Sequence, residues 1–467
     1  MRFSATTTAE RFLPERFIEK IRPWLDRVDG LLSSADERGA AGRMSLIAFT
    51  VRIVSAVIAF VSQVLLARWL GGFEYGIFVL VWTTMIIIGN LSCLGFHTSV
   101  IRYLPEYREK GMLPELRGIL FTSRLFVLVA STLIAAIGAA GVWLFSDSIE
   151  NYYVVPFILG MTCLPMIALS DVLQGVARAN SWPISALAPT YLTRPILILA
   201  VVGITLLAGM QADARIAILA AIVATYATTL LQLIGMSARV SKRVPPGPTR
   251  ILLREWIIVS MPIFLIESFF FLLTNADVLM VGVFMQPNDV AIYFATVKTL
   301  ALVHFVYFAV KTGVAQRYAQ FTHGDRGRLG AFARETVSWT FWPSLAMAVA
   351  VLAVGEPMLM LFGPGFDEGY ALLFPLVLGV VARAAVGPAE ALLTMSGHQN
   401  VCAAVFAATL GVNLSLSILL IPQFGLWGAA IATTLSMIFE ATMLALTVWR
   451  KLGIVMLALA PKAWTES

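Results

Sequence analysis

The chain has 467 residues, of which 59% are hydrophobic and 13% charged, with a formal net charge of +6 and a mean hydropathy of +0.85. A soluble domain is about half apolar and about a quarter charged; these values exclude that class and indicate an all-α polytopic membrane protein, because a bilayer accepts apolar side chains all round a helix. Cys93, Cys163 and Cys402 show no paired spacing and the four histidines no i, i+4 pair, which argues against a disulfide framework or a metal site.

Residues 1–43 are charged throughout and contain no continuous apolar core of the signal-peptide kind. Within them Phe17, Ile21, Trp24, Val28 and Leu31 recur at helical steps among charges. That spacing predicts an amphipathic helix, either on the membrane surface or packed against the bundle. From residue 44, apolar stretches of about 20 residues predict twelve transmembrane helices. They begin near residues 44, 76, 119, 152, 184 and 213, then near 254, 290, 335, 369, 400 and 425. Alternating the loops between two sides places 25 Lys and Arg on one side and 2, Arg68 and Arg215, on the other. The basic side is cytoplasmic by the positive-inside rule, so both termini are expected there. Basic residues confined to short loops orient spans and do not form a nucleic-acid footprint.

The stretch "SARVSKRVPPGPTR" (Ser237–Arg250) is the longest basic, proline-rich interruption and follows the sixth span. The expected organisation is an N-terminal segment 1–43, an N-lobe 44–236, a cytoplasmic linker 237–253, a C-lobe 254–449 and a cytoplasmic tail 450–467. Six spans per lobe give both lobes the same orientation, as in parallel repeats with pseudo-two-fold symmetry about the membrane normal. "DVLQGVARAN" (Asp171–Asn180) and "ALLTMSGHQN" (Ala391–Asn400) close the fourth and tenth spans with a similar pattern.

Three stretches carry a family resemblance: "LLARWLGGFEYGIFVL" (Leu65–Leu80), "LGFHTSVIRYLPEY" (Leu94–Tyr107) and "NADVLMVGVFMQPNDVAIYFATVK" (Asn275–Lys298). They resemble the Wzx-type oligosaccharide flippases of the multidrug/oligosaccharidyl-lipid/polysaccharide exporter superfamily, over about residues 44–449. The resemblance implies a V-shaped, two-lobed bundle that alternates between inward- and outward-open states. It would carry undecaprenyl-pyrophosphate-linked sugar repeat units across a bacterial inner membrane, with a polysaccharide polymerase and other assembly proteins as partners. No cofactor is expected, and coupling to sodium ion, proton or membrane potential stays open. In their own right, Gly71, Gly72 and Gly76 suit a turn between the first two spans, and Arg68 and Trp69 suit the outer interface.

Six bases fall inside predicted spans: Arg52, Arg124, Arg194, Lys298, Lys311 and Arg383. Arg124 and Lys311 lie near cytoplasmic ends and are expected to snorkel. Arg52 heads a small, polar helical stripe, and Arg194 precedes Pro195, where a helix loses a hydrogen bond. Bases at depth face a bundle interior or a wet cavity. Arg52, Arg194, Lys298 and Arg383, with His304 as a minor lining residue, are therefore the candidate substrate-binding set. For Arg194 the rival reading is that it satisfies carbonyls freed by the kink. Asp277 is expected at a capped or solvated outer helix end. Glu267 falls near mid-membrane and must be protonated, paired or bound to a cation. Related exporters place a cation-coupling acid in this span, and the resemblance gives Glu267 that role; the alternative is an ion pair with Lys298 or Arg383.

Three functions compete. A flippase for lipid-linked oligosaccharides is favoured, because deep arginines suit pyrophosphate and acidic sugars. A multidrug or cation antiporter of the same superfamily would line its pocket with acids and aromatics. A membrane-embedded polysaccharide enzyme is disfavoured, because no DxD, HExxH or Walker-type motif occurs in the loops.

Overall fold

The computed structural model describes residues 37–323 and 326–458. The predicted amphipathic helix around 17–31 and the Arg52 side chain lie outside the described part. Among the described residues there are helices and no strands. In chain order the helices are α1 (Glu37–Leu91), α2 (Phe96–Glu109), α3 (Leu113–Leu144), α4 (Asn151–Met161), α5 (Leu164–Ala179), α6 (Pro183–Ala188), α7 (Arg194–Leu207) and α8 (Ala214–Ser241) in the first half. The second half holds α9 (Leu253–Phe284), α10 (Pro287–His323), α11 (Arg326–Met360), α12 (Tyr370–Ala384), α13 (Ala389–Met395), α14 (Gln399–Phe424) and α15 (Leu426–Leu452). Among the described residues ten helices are long and apolar enough to cross a membrane, and the bent pair α4–α5 would make eleven.

Several helices are interrupted, each time for a local chemical reason. Gly71, at φ 77° and ψ 163°, breaks α1 into two arms, a backbone state that glycine adopts without a Cβ penalty. Pro165, early in α5, cannot continue the ladder of α4, and the two helices meet at 46°. Between α6 and α7 the chain makes a π-turn over Pro189–Thr193, where the Arg194 amide reaches back to the Pro189 carbonyl. The prolines at 189 and 195 bracket this widened turn.

The apolar core is undivided at one end of the bundle and forked at the other. At the Gly71 end a single cluster runs through both halves, joining Tyr75, Phe78, Met85 and Val202 to Val281, Tyr293, Phe362 and Leu376. Glycines close this seam: a Cβ at Gly76 would collide with the Pro287 carbonyl. Arg68 adds hydrogen bonds to the Leu361 and Met360 carbonyls across the seam. At the opposite end there are two separate cores. One gathers Phe96, Leu104, Leu116 and Val172, and the other Tyr318, Leu392, Phe406 and Leu444.

Helix α9 takes part in both forks. Its Trp256 is fully buried in the first-half core and donates to the Tyr107 hydroxyl at 2.9 Å. Further along, Phe269, Phe270 and Leu273 pack on the second-half core.

The expected linker differs from the observed one. Helix α8 continues to Ser241, so only 242–252 connect the halves. This connection is strapped down: Arg117 donates to the Pro245 and Pro248 carbonyls at 2.8 and 2.9 Å, and the Arg250 amide donates to Pro114 at 2.9 Å. The described part of the expected tail is also anchored. Ile454 and Met456 are buried, and the Ala458 amide donates to Ala385 at 2.9 Å.

Candidate functional site

Between the two forked cores lies a cavity of about 500 Å³. The first half contributes Asn90, at the end of α1, and His97, on the first turn of α2. The second half contributes Glu267 from α9, Lys311 and Thr312 from α10, and Glu390 from α13. The turn at Leu94 and Gly95, with φ 45° and 78°, ends α1 and starts α2, which carries His97 and Thr98 toward the cavity.

Glu267 is held from the opposite half. His97 Nε2 stands 3.0 Å from Glu267 Oε2, and the Thr98 hydroxyl reaches Oε1 and Oε2 at 2.8 and 3.0 Å. The alternatives of Lys298 or Arg383 as its partner are not what forms. Nothing in the sequence pointed to His97, which is 170 positions away. Nearby, Ser99 and Ser260 join the same two helices through a 2.7 Å hydroxyl pair.

The second-half wall is a charge cluster. Lys311 Nζ lies 2.6 Å from Glu390 Oε1, and Tyr307 donates to Glu390 Oε2. Behind them, Arg383 Nη2 contacts Glu440 at 3.1 Å and Glu390 at 3.6 Å, with its guanidinium 5.0 Å from the Tyr307 ring centroid. Two bases thus face two carboxylates, so the buried charges compensate one another. Lys311 also lies 5.2 Å from the Phe270 ring. The expected snorkelling of Lys311 is replaced by this pairing.

The bases predicted to gather in one cleft are dispersed. Arg194 is 6% exposed and sits inside the first half, with Nη2 3.3 Å from Ser170 Oγ. Ser170 belongs to a polar network in which Gln174 bridges Asp171 and Thr190, and Asn90 donates to Asp171 at 3.3 Å. The contact described for Arg194 is to a hydroxyl, not to a carbonyl freed by the kink. Arg383 is occupied within the second half. Lys298 is exposed, with Nζ 4.6 Å over the Phe294 ring, and His304 is half-buried on α10. Lys298 and cavity-lining Thr312 are fourteen residues apart, about four turns along one stripe of that helix.

Asp277 also departs from expectation. It is 6% exposed and accepts from the Val278 amide at 2.9 Å and the Tyr293 hydroxyl at 3.2 Å, and Tyr293 pairs with Thr433 at 3.1 Å. It belongs to the core near the Gly71 end and is not a solvated helix end.

Among the described residues no group of three or more His, Cys, Asp and Glu is arranged to hold a metal ion. The cavity offers hydrogen-bond donors, one ammonium, two carboxylates and aromatic faces. That inventory can bind a charged, partly apolar solute and exchange protons with it.

The chain matches the family described as "Polysaccharide biosynthesis protein" over residues 41–315. No curated protein matches it. Among solved structures it is similar to an inward-facing multidrug resistance MATE family transporter of the MOP superfamily, at TM-score 0.67 and 14% identity, covering 85% of this chain and 94% of that one. It is also similar to the lipid II flippase MurJ in an inward closed conformation, at TM-score 0.66 and 13% identity, covering 86% and 87%. A third is a MOP superfamily transporter from Pyrococcus furiosus described as having a binding pocket of reverse polarity, at TM-score 0.59 and 14% identity, covering 88% and 94%. At these identities the likeness establishes the fold.

Proposed function

The chain belongs to the polysaccharide biosynthesis protein family, and on that premise we propose that this multi-pass membrane transporter is a flippase for lipid-linked oligosaccharides. It would move undecaprenyl-pyrophosphate-linked repeat units across a bacterial inner membrane by alternating access. In this reading the arms of α1 on either side of Gly71 would each be a span and each broken pair one span, for twelve spans in two lobes of six. The 25-to-2 distribution of basic residues favours cytoplasmic termini and linker. The forked end then faces the cytoplasm, where the substrate is made.

The observation that carries this reading is a cavity walled by both halves, in which Lys311 is paired with Glu390. A pyrophosphate entering between His97 and Lys311 would compete with Glu390 for the ammonium, and Arg383 would retain Glu390 as it lets go. Lys298 extends the basic path along α10 toward the closed seam. Arg52, at the start of the polar stripe on α1, is proposed to complete it from the N-lobe, and His304 to line it. Arg194 is proposed to act from behind, through the network that reaches Asn90. Glu267, bridging the lobes at His97 and Thr98, is the proposed coupling acid: binding a proton or sodium ion would weaken the bridge and free the lobes to move.

Reconstitution into vesicles with a fluorescent lipid-linked oligosaccharide tests the reading. Leaflet transfer that requires the protein supports it. Export of cationic dyes without lipid transfer would establish the antiporter reading, for which the MATE-like fold is the specific ground.

A further inference from the structure

A second cavity, about 460 Å³ in volume, opens on the outer face of the first half between α3 and α8. Arg117 and Arg124 lie on its α3 wall, and Ser237 lies opposite on α8. The two arginines are seven residues apart, about two helical turns, so they share one stripe roughly 10 Å apart along the axis. None of the residues lining the groove is acidic. Arg124 donates one bond, Nη1 to Ser237 Oγ at 3.2 Å, and its buried Nε has no partner among the described residues. Toward the membrane interior the walls become apolar, with Leu125, Leu128 and Leu233. The same face of α3 presents Phe121 at 57% and Val129 at 52% exposure, as bilayer-facing side chains do.

We propose that this groove binds an anionic phospholipid of the adjoining leaflet, with its phosphate on Arg124 and one acyl chain along Leu125, Leu128 and Leu233. Arg117, whose Nε and Nη1 are held by the Pro245 and Pro248 carbonyls, adds its charge from about two turns away. An arginine inside a span without a counter-ion is costly, and the cost falls when a charged partner is supplied. A phosphate accepts two parallel N–H bonds from one guanidinium, which would satisfy the orphaned Nε together with a terminal nitrogen. Ser237 is placed to donate its hydroxyl proton to the same group. A zwitterionic lipid brings a phosphate too, but it also brings an ammonium beside two guanidiniums where no carboxylate lines the groove. Charge complementarity therefore selects the anionic headgroup. The site faces away from the central cavity and does not depend on what is transported.

Native mass spectrometry of the detergent-purified full chain tests the site, using equal amounts of phosphatidylglycerol and phosphatidylcholine with identical acyl chains. The wild-type chain should retain phosphatidylglycerol at least 10-fold over phosphatidylcholine. Arg124→Gln should reduce that retention about 10-fold, and Arg124→Lys should restore part of it. Leu128→Trp fills the groove while leaving both arginines, and should produce the same loss if Arg124→Gln does not fold. Equal retention of the two lipids would overturn the proposal, as would unchanged phosphatidylglycerol binding in Leu128→Trp.

Discussion

His97 and Glu267 meet across the junction of the two halves, Nε2 to Oε2 at 3.0 Å, in a helix pair otherwise joined by hydroxyls. Glu267→Gln keeps the shape and the ability to accept from Thr98 but removes the charge. A hydrogen bond to a charged group contributes about 1.5–3 kcal/mol, and a neutral one about half of that. Melting should therefore fall by only a few degrees, while ion-gradient dependence of lipid transfer is lost. A large fall in melting temperature with normal ion dependence would assign Glu267 a structural role instead.

Arg383→Ala should be strongly destabilising, by about 3–5 kcal/mol, because Glu440 is left buried without its partner. Adding Glu440→Gln should recover part of the loss by removing the stranded charge. Thermal melts of the single and double variants in detergent check this. Wild-type melting of Arg383→Ala would show that the pair contributes nothing.

Lys298 and Arg194 should separate in a binding assay. Lys298 is exposed and its ammonium lies over the Phe294 ring, so Lys298→Gln should weaken lipid-linked oligosaccharide binding about 10-fold with little change in melting. Arg194 is buried in a network, so Arg194→Gln should lower the melting temperature. Intact binding in Lys298→Gln would remove it from the substrate path.

Gly76→Ala should force the closed seam apart, because the added carbon meets the Pro287 carbonyl. Spin labels at exposed Phe73 and Glu368 should report a longer distance in this variant than in the parent. An unchanged distribution would mean that the seam yields elsewhere.

Single cysteines at Gly247 and Met210 should differ in intact cells. Membrane-impermeant maleimide should label Met210→Cys and spare Gly247→Cys, as the basic-residue asymmetry requires. The opposite pattern would invert the assigned topology.

Hydropathy located many of the helix starts because continuous apolar runs leave few alternatives, although the two spans expected from 44 and 76 fall within the one long helix α1. The expected starts near 152, 184, 213 and 400 lie within a residue or so of Asn151, Pro183, Ala214 and Gln399. Depth within a span was less legible. Asp277 was placed by counting from the start of α9, but the first turns of that helix are spent in the first-half core around Trp256, which shifts the count. The partners of Glu267 and Lys311 were hidden for another reason. Contacts spanning 170 and 79 positions depend on how breaks such as Leu94–Gly95 redirect a helix, and hydropathy carries no record of that angle. Acids and bases in apolar runs could be singled out; which would meet could not.

Helix α9 begins in one core and continues into another, and the 242–252 connection before it is pinned to α3. Neither end offers a slack tether. Any rocking of the two halves must then flex α9 itself, as a rod clamped at both ends flexes. The stiffness of one helix, more than the length of a loop, would then set how readily the molecule changes state.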